Sequence, residues 1–121
     1  MVIDTSILID HLRKLNRTNT IFANLPLNTP LYVSSLTVYE LFFGATTPLK
    51  QLEAQQIISA MHILPIDAEV AVLAAQLSQS MRSNSIGLAD TLIAATALRN
   101  NLPIKTLNVR HFARVEGLVL V

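Results

Sequence analysis

The sequence contains no cysteine and no tryptophan, and only 5% of its 121 residues are aromatic. Without cysteine the chain can form neither a disulfide nor a thiolate metal site. The scarcity of aromatic rings also removes the stacking platform on which many proteins read single-stranded bases. Any metal site must therefore do without sulfur ligands, and any recognition of nucleic acid must rest on shape.

Long apolar runs are also missing: no stretch approaches the roughly 20 residues that span a bilayer. The apolar N-terminal stretch is interrupted by Asp4 and has no basic leader, which argues against a signal peptide. We therefore expect a cytoplasmic protein that does not associate with membranes. Eight acidic residues against nine Lys and Arg give a net charge of +1, so overall charge does not indicate a polyanionic partner.

Aliphatic residues make up most of the chain, which is 51% hydrophobic and has a mean hydropathy of +0.47. This composition favours an α/β domain whose central strands are covered on both faces. The length suits one domain over residues 1–121, with no repeat or linker. Apolar surface should remain after the core is filled, so a protein partner is expected.

Short apolar stretches predict up to five strands, at residues 2–3, 31–34, 63–66, 104–107 and 118–121. One or more helical segments separate each of the first four. Such connections imply right-handed crossovers and a mainly parallel sheet. We therefore predict an α/β fold with three α/β/α layers and a mainly parallel sheet of about four to five strands.

Three acidic residues occupy similar positions relative to these elements. Asp4 ends the first strand, immediately before the helix-starting residues Thr5 and Ser6. Glu40 lies near the start of the helix after the second strand, and Asp90 near the start of the most apolar helix. All three belong at the carboxyl edge of a parallel sheet, where such folds keep their ligand sites.

Each of these acids also has a structural interpretation. Asp4 can cap the first helix, and Glu40 has the capping-box spacing from Thr37. Asp90 can be stabilised by its helix dipole, by about 0.3–1 kcal/mol. Residues 41–43 (Leu-Phe-Phe) predict that the Glu40 helix is largely buried, and an unpartnered carboxylate in such surroundings is costly.

Clustered carboxylates repel one another unless a cation lies between them. Oxygen ligands without sulfur favour a hard ion, Mg²⁺ or Mn²⁺. A divalent ion of this kind activates water and neutralises phosphate charge. The three acids therefore suggest a site that hydrolyses phosphodiesters.

Four blocks spread along the chain, at residues 2–6, 35–41, 88–95 and 106–112, resemble the PIN-domain family, and specifically the VapC-type toxins of bacterial and archaeal toxin–antitoxin pairs. This resemblance implies a magnesium-dependent endoribonuclease, usually a homodimer, that a cognate antitoxin protein holds inactive. It also suggests tRNA or rRNA as the substrate. Asp4, Glu40 and Asp90 match the family's acidic catalytic and metal-binding residues, and Ser6 matches a hydroxyl often found beside the metal.

The sequence departs from the common family pattern after the fourth strand, where many PIN domains have an acid and this chain has Asn108. The change leaves a formal charge of about −1 around one Mg²⁺ instead of about −2, so a second metal is less favoured. Asn108 can still orient water through its amide as a supporting residue. His111 stands where many relatives have an acid, and as a lone histidine it suggests a surface or helix-end residue rather than a general base.

Two other functions stay open from the sequence. Asn108 is compatible with a catalytically weak PIN-like module that binds RNA or protein. A phosphoacceptor or haloacid-dehalogenase-like phosphatase also places an Asp after its first strand, but Asp4-Thr5-Ser6 lacks the Asp-x-Asp pattern of those sites.

Arg82 and Arg110 are the cations best placed to flank the acidic site and contact RNA, although either can be solvated surface. Near the first helix, residues 13, 14 and 17 form a basic cluster that suits a helix C-terminus or a phosphate contact. The apolar excess suits two protein surfaces, one for self-pairing and one for an antitoxin helix in a groove. The predicted groove walls are the helices that carry Leu8, Leu12, Phe42, Leu49 and Leu52.

Overall fold

The computed structural model describes residues 1–121 and contains one four-stranded sheet. The strands are β1 (Val2–Ile3), β2 (Tyr32–Ser34), β3 (His62–Leu64) and β4 (Ile104–Lys105). Their order is β3-β2-β1-β4 and every neighbouring pair is parallel. The sheet is therefore parallel throughout, and β1 lies in its interior.

Six helices surround the sheet, together with two 3₁₀ turns at Phe22–Asn24 and Arg82–Asn84. They are α1 (Thr5–Arg13), α2 (Ser35–Gly44), α3 (Pro48–Ser59), α4 (Ala68–Met81), α5 (Leu88–Arg99) and α6 (Val109–Phe112). None combines the length and the apolar character that crossing a bilayer requires.

Two apolar clusters show how the helices are layered. Val2 packs with residues of α4, α5 and α6. Ile3 packs with Val33 and with residues of α1, α2 and α3. Successive residues of a strand point to opposite faces of the sheet, so these clusters lie on its two sides. The predicted three-layer α/β/α architecture is confirmed.

The fifth predicted strand, at residues 118–121, is reduced to a single bridge. Leu120 pairs with Ile104 in parallel, through bonds from Ile104 N–H to the Val119 carbonyl (2.9 Å) and from Val121 N–H to the Ile104 carbonyl (3.0 Å). The prediction of a strand there was wrong because β4 is only two residues long and offers no further partners.

The start of α2 differs from the one that the sequence predicted. Thr47 and Asp67 cap α3 and α4 through their side chains. In α2 the cap is Ser34, whose Oγ accepts the Leu36 N–H at 3.1 Å. Thr37 already lies inside the helix, so the capping box predicted between Thr37 and Glu40 does not exist.

The α2 helix is also less buried than predicted. Leu41 is buried, but Phe42 and Phe43 remain 37% and 75% exposed. Consecutive helical residues point about 100° apart, so three in a row cannot all face one core. The position of Glu40 therefore has to be explained by a specific contact and not by apolar neighbours.

We predict that Ser34→Ala destabilises the fold by about 1 kcal/mol, because it removes the cap of α2 and leaves the partly buried Leu36 N–H without a partner. Urea unfolding should show a lower midpoint with an unchanged slope. Ser78→Ala is the matched control, since Ser78 is an exposed α4 residue whose hydroxyl makes no hydrogen bond. Equal midpoints for the two variants would contradict the prediction.

Candidate active site

Asp4 lies between β1 and α1, at the carboxyl edge of the sheet, and is 2% exposed. It has the backbone position of an N-cap, yet its side chain makes no capping hydrogen bond. Its Oδ2 instead accepts hydrogen bonds from Ser6 Oγ (2.6 Å) and Thr106 Oγ1 (2.7 Å). Capping of α1 therefore does not account for this carboxylate.

The hydroxyls that hold Asp4 also fix the loop after β4. Ser6 Oγ accepts the Leu107 N–H at 3.1 Å, and Thr106 Oγ1 accepts the Asn108 N–H at 2.9 Å. Ser6 is thus a direct hydrogen-bond neighbour of Asp4, and its place beside a metal stays a prediction. Asn108 is joined to this network through its backbone, while its side chain is exposed and makes no capping bond to α6.

Burial raises the pKa of Asp4 above its ordinary value, and the negative charge of Asp90 raises the pKa further. The hydrogen bonds from Ser6 and Thr106 lower the pKa but do not compensate for desolvation. Asp90 is therefore close enough for its charge to act on Asp4. The ionised form of Asp4 is electrostatically costly unless a cation joins it.

Asp90 lies in the first turn of α5, and its side chain is 19% exposed. Its Oδ2 accepts a hydrogen bond from His111 Nδ1 on α6 at 2.9 Å. The Oδ1 atoms of Asp4 and Asp90 accept no side-chain hydrogen bond, so in each carboxylate one oxygen is held by side chains and the other is free of them. His111 was predicted to be a surface residue; its side chain is 48% exposed, and it also contacts Asp90.

Glu40 belongs to a separate set of hydroxyl contacts. Its Oε1 accepts a hydrogen bond from Thr5 Oγ1 at 2.7 Å, and Thr5 Oγ1 lies 3.0 Å from Thr37 Oγ1. Thr5 has a single hydroxyl hydrogen, and a carboxylate oxygen only accepts, so Thr37 supplies the hydrogen of the second bond. Because Thr5 follows Asp4 in the chain, this contact links Glu40 to the β1–α1 junction.

The charge of Asp90 acts on Asp4. Glu40 contacts neither carboxylate, and is hydrogen-bonded to Thr5, the residue that follows Asp4. No group of three or more His, Asp or Glu side chains is arranged closely enough to hold a metal ion. The donor set nevertheless fits Mg²⁺, which keeps several waters and is commonly bound by one or two carboxylates. The free Oδ1 atoms of Asp4 and Asp90 are oxygen ligands of that kind.

The predicted RNA contacts, Arg82 and Arg110, are exposed and form no ion pair. Arg82 begins the 3₁₀ turn after α4, and Arg110 lies on α6 beside His111. The structure leaves both guanidinium groups available to solvent and places neither in contact with the acidic residues.

Charged residues near α1 are partly paired within the chain. Lys14 Nζ lies 3.6 Å from Asp10 Oδ1, and Arg17 Nη1 lies 2.5 Å from Glu53 Oε2. Arg13 is exposed and lines a groove. The basic cluster is therefore divided between intramolecular ion pairs and this groove.

The groove runs between α1, α2 and α3 and reaches Glu40. Apolar side chains form half of its lining and charged groups form most of the rest; it is lined by Ile9, Leu12, Arg13, Glu40, Leu41, Gly44, Ala45, Lys50, Glu53 and Ala54. The helices predicted as groove walls, which carry Leu8, Leu12, Phe42, Leu49 and Leu52, are α1, α2 and α3, and these helices form the groove. Of those residues Leu12 lines the groove, whereas Leu8 is wholly buried in the core. Phe42, Leu49 and Leu52 are exposed without lining the groove.

Sequence reasoning missed Thr5, Thr37, Thr106 and the contact of His111. Threonines are common in helices and strand ends, and nothing in their spacing reveals a hydrogen-bond partner that lies 32 or 102 positions away. The one available signal was the concentration of hydroxyl residues around Asp4, Glu40 and Asn108.

Comparisons with known proteins find similar sequences and a similar fold. The family model described as "PIN domain" matches residues 1–118. Ribonuclease VapC10 of Mycobacterium tuberculosis is 32% identical over 98% of this chain and 90% of its own length. The tRNA(fMet)-specific endonuclease VapC of Salmonella typhimurium is 30% identical over 76% of this chain and 75% of its own. A toxin–antitoxin complex from Klebsiella pneumoniae contains a chain with a TM-score of 0.79 and 28% identity, covering 98% of this chain and 94% of that one.

We predict that Asp4→Asn stabilises the fold at neutral pH in the absence of divalent cations. The pKa of Asp4 is higher in the folded chain than in the unfolded chain. Protonated Asp4 therefore stabilises the fold fully at pH values below its pKa in the unfolded chain, and this stabilisation is lost as the pH rises through its pKa in the folded chain. Asparagine carries no charge at any of these pH values. The stability difference, variant minus wild type, should therefore grow from pH 4 to pH 8 in urea unfolding.

Asp10→Asn provides the comparison, because it removes a partly exposed carboxylate from α1, the helix that follows Asp4. A difference for Asp4→Asn that stays constant or shrinks as the pH rises would show that burial does not penalise the Asp4 charge.

Proposed function

The chain belongs to the PIN-domain family, and we propose that it is an endoribonuclease that requires a divalent cation, Mg²⁺ or Mn²⁺. In this proposal it is the toxin of a VapBC-type toxin–antitoxin pair and acts in the cytoplasm. The observation that carries the proposal is the buried Asp4 carboxylate, held on one oxygen by two hydroxyls and exposed to the charge of Asp90. The ribonuclease and endonuclease names of similar VapC proteins support RNA as the substrate.

Asp4 and Asp90 would hold the cation through their free oxygens, and Glu40 would complete the acidic set from the Thr5 side. The chemistry that a divalent cation would supply at this site is neutralisation of phosphate charge and activation of water. The chain's own contribution is positional. Ser6 and Thr106 fix the Asp4 carboxylate, and they are neutral donors, so they leave its negative charge available to a cation.

The proposed substrate class is structured RNA such as tRNA or rRNA. The relative from Salmonella typhimurium carries a tRNA-specific name, and the low aromatic content of this chain disfavours recognition by stacking on single-stranded bases. Arg82 and Arg110, which are exposed and unpaired, would contact phosphates on either side of the acids. These contacts position the RNA and do not specify its sequence.

The proposed protein partner is a cognate antitoxin that covers the groove between α1, α2 and α3. A chain of similar fold is found in a toxin–antitoxin complex, and the groove is lined by both apolar and charged side chains. Because Glu40 is one of its lining residues, an occupant of the groove would reach the acidic site. The exposed aromatic residues Tyr39 and Phe43 leave further apolar surface for a homodimer contact.

We predict that Asp4→Asn and Asp90→Asn each lower Mg²⁺-dependent cleavage of a tRNA pool by about 100-fold or more, because each removes a charged ligand from the site. Cleavage should be followed by the appearance of new RNA ends, with and without EDTA. Asp67→Asn is a matched control, since Asp67 caps α4 through its side chain and shares no hydrogen bond with the acidic residues of the site.

Full activity in either Asp4→Asn or Asp90→Asn would contradict the proposed site. Activity that persists in EDTA would contradict the metal requirement. RNA binding without any cleavage by the wild type would instead favour the binding-module alternative that Asn108 raised.

We also predict that Arg82→Ala and Arg110→Ala each reduce the slope of log RNA affinity against log salt by about 0.7–0.9, the value for one lost phosphate contact. Affinity should be measured with the inactive Asp90→Asn background so that the RNA stays intact. Arg99→Ala is the control, because Arg99 lies at the opposite end of α5 and pairs with Glu69. A slope unchanged by both variants would place the RNA elsewhere.

A further inference from the structure

His111 contacts one of the acidic residues of the proposed site. Its Nδ1 lies 2.9 Å from Asp90 Oδ2, between the short helix α6 and the first turn of α5. A carboxylate oxygen only accepts hydrogen bonds, so Nδ1 carries the hydrogen and donates it. The imidazole therefore holds one oxygen of Asp90 in the way that Ser6 and Thr106 hold one oxygen of Asp4.

The backbone that carries His111 is firmly placed. Its own N–H donates to the Asn108 carbonyl at 3.1 Å, and the next residue, Phe112, is fully buried. The Asn108 N–H is in turn bound to Thr106 Oγ1, which contacts Asp4. One connected set of contacts thus runs from Asp4 through the loop after β4 to His111 and Asp90.

We propose that His111 is a positioning residue, which orients the Asp90 carboxylate so that its free Oδ1 faces the divalent cation. This inference rests on the proposed function and adds a residue to it. The side chain of His111 is 48% exposed, so its contact with Asp90 contributes little to folding. Its value lies in fixing a carboxylate that would otherwise rotate about its terminal bond.

The position of the donor atom gives a specific test. The amide nitrogen of asparagine takes nearly the place of histidine Nδ1, whereas that of glutamine takes the place of Nε2. His111→Asn should therefore retain the contact with Asp90, and His111→Gln and His111→Ala should lose it. His62→Ala is the matched control, because His62 is an exposed histidine on β3 with no polar side-chain contact.

The primary readout is Mn²⁺ binding to the purified protein without RNA at pH 8. It is measured by calorimetry or by the electron paramagnetic resonance signal of free Mn²⁺. We expect His111→Ala and His111→Gln to weaken Mn²⁺ binding by about tenfold, His111→Asn to stay within a factor of about three of wild type, and His62→Ala to match wild type. RNA cleavage should show the same order at low Mg²⁺ and converge at saturating Mg²⁺. Thermal unfolding midpoints should agree among the variants.

Unchanged Mn²⁺ binding in His111→Ala would overturn the inference, and so would equal losses in the Asn and Gln variants. Asp90→Asn separates this result from a failure of the proposed function. If Asp90→Asn abolishes Mn²⁺ binding while His111→Ala does not, only the positioning role falls. If wild type and Asp90→Asn bind Mn²⁺ equally, the metal site and the positioning role both fall.

Discussion

The candidate site depends on one buried carboxylate that is hydrogen-bonded by hydroxyl groups and not by a cationic side chain. Asp4 is 2% exposed, and its partners within the fold, Ser6 and Thr106, are both neutral. An arginine or lysine at this point would cancel the charge and leave nothing for a ligand to compensate. Hydroxyl donors orient the carboxylate while its negative charge persists, so an unfavourable electrostatic term remains that a divalent cation can relieve.

The fold supplies the geometry for this arrangement with very short strands. Val2 and Ile3 send their side chains into the two separate cores, which fixes β1 in the middle of the sheet although it has only two residues. The chain then turns directly into α1 at Asp4. The ends of β1 and β4 are adjacent because these strands pair, and that adjacency allows Thr106 to reach across to Asp4.

The general organisation was predictable because it follows from local patterns. Apolar stretches separated by helical segments predicted the parallel sheet, and the acids at strand and helix ends predicted which edge carries the site. The prediction of the α2 start was wrong because the same spacing is compatible with two different hydrogen-bonding roles. Thr37 and Glu40 have capping-box spacing, yet Ser34 caps α2 and both residues bond to Thr5 from another helix. Long-range hydrogen bonds of this kind leave no periodic trace in a single sequence.

Asn108 and His111 show how the loop after β4 can serve a site that lacks a fourth acid. A fourth carboxylate would add to the repulsion between Asp4 and Asp90. Burial already raises the pKa of Asp4, and the charge of Asp90 raises it further. The loop instead has Asn108, whose backbone N–H donates to Thr106, and His111, whose imidazole holds Asp90. Neither residue adds a negative charge, so the site has fewer negative charges than a site with a fourth acid. That balance suits one divalent cation more than two, since fewer negative charges remain to share between a pair of ions.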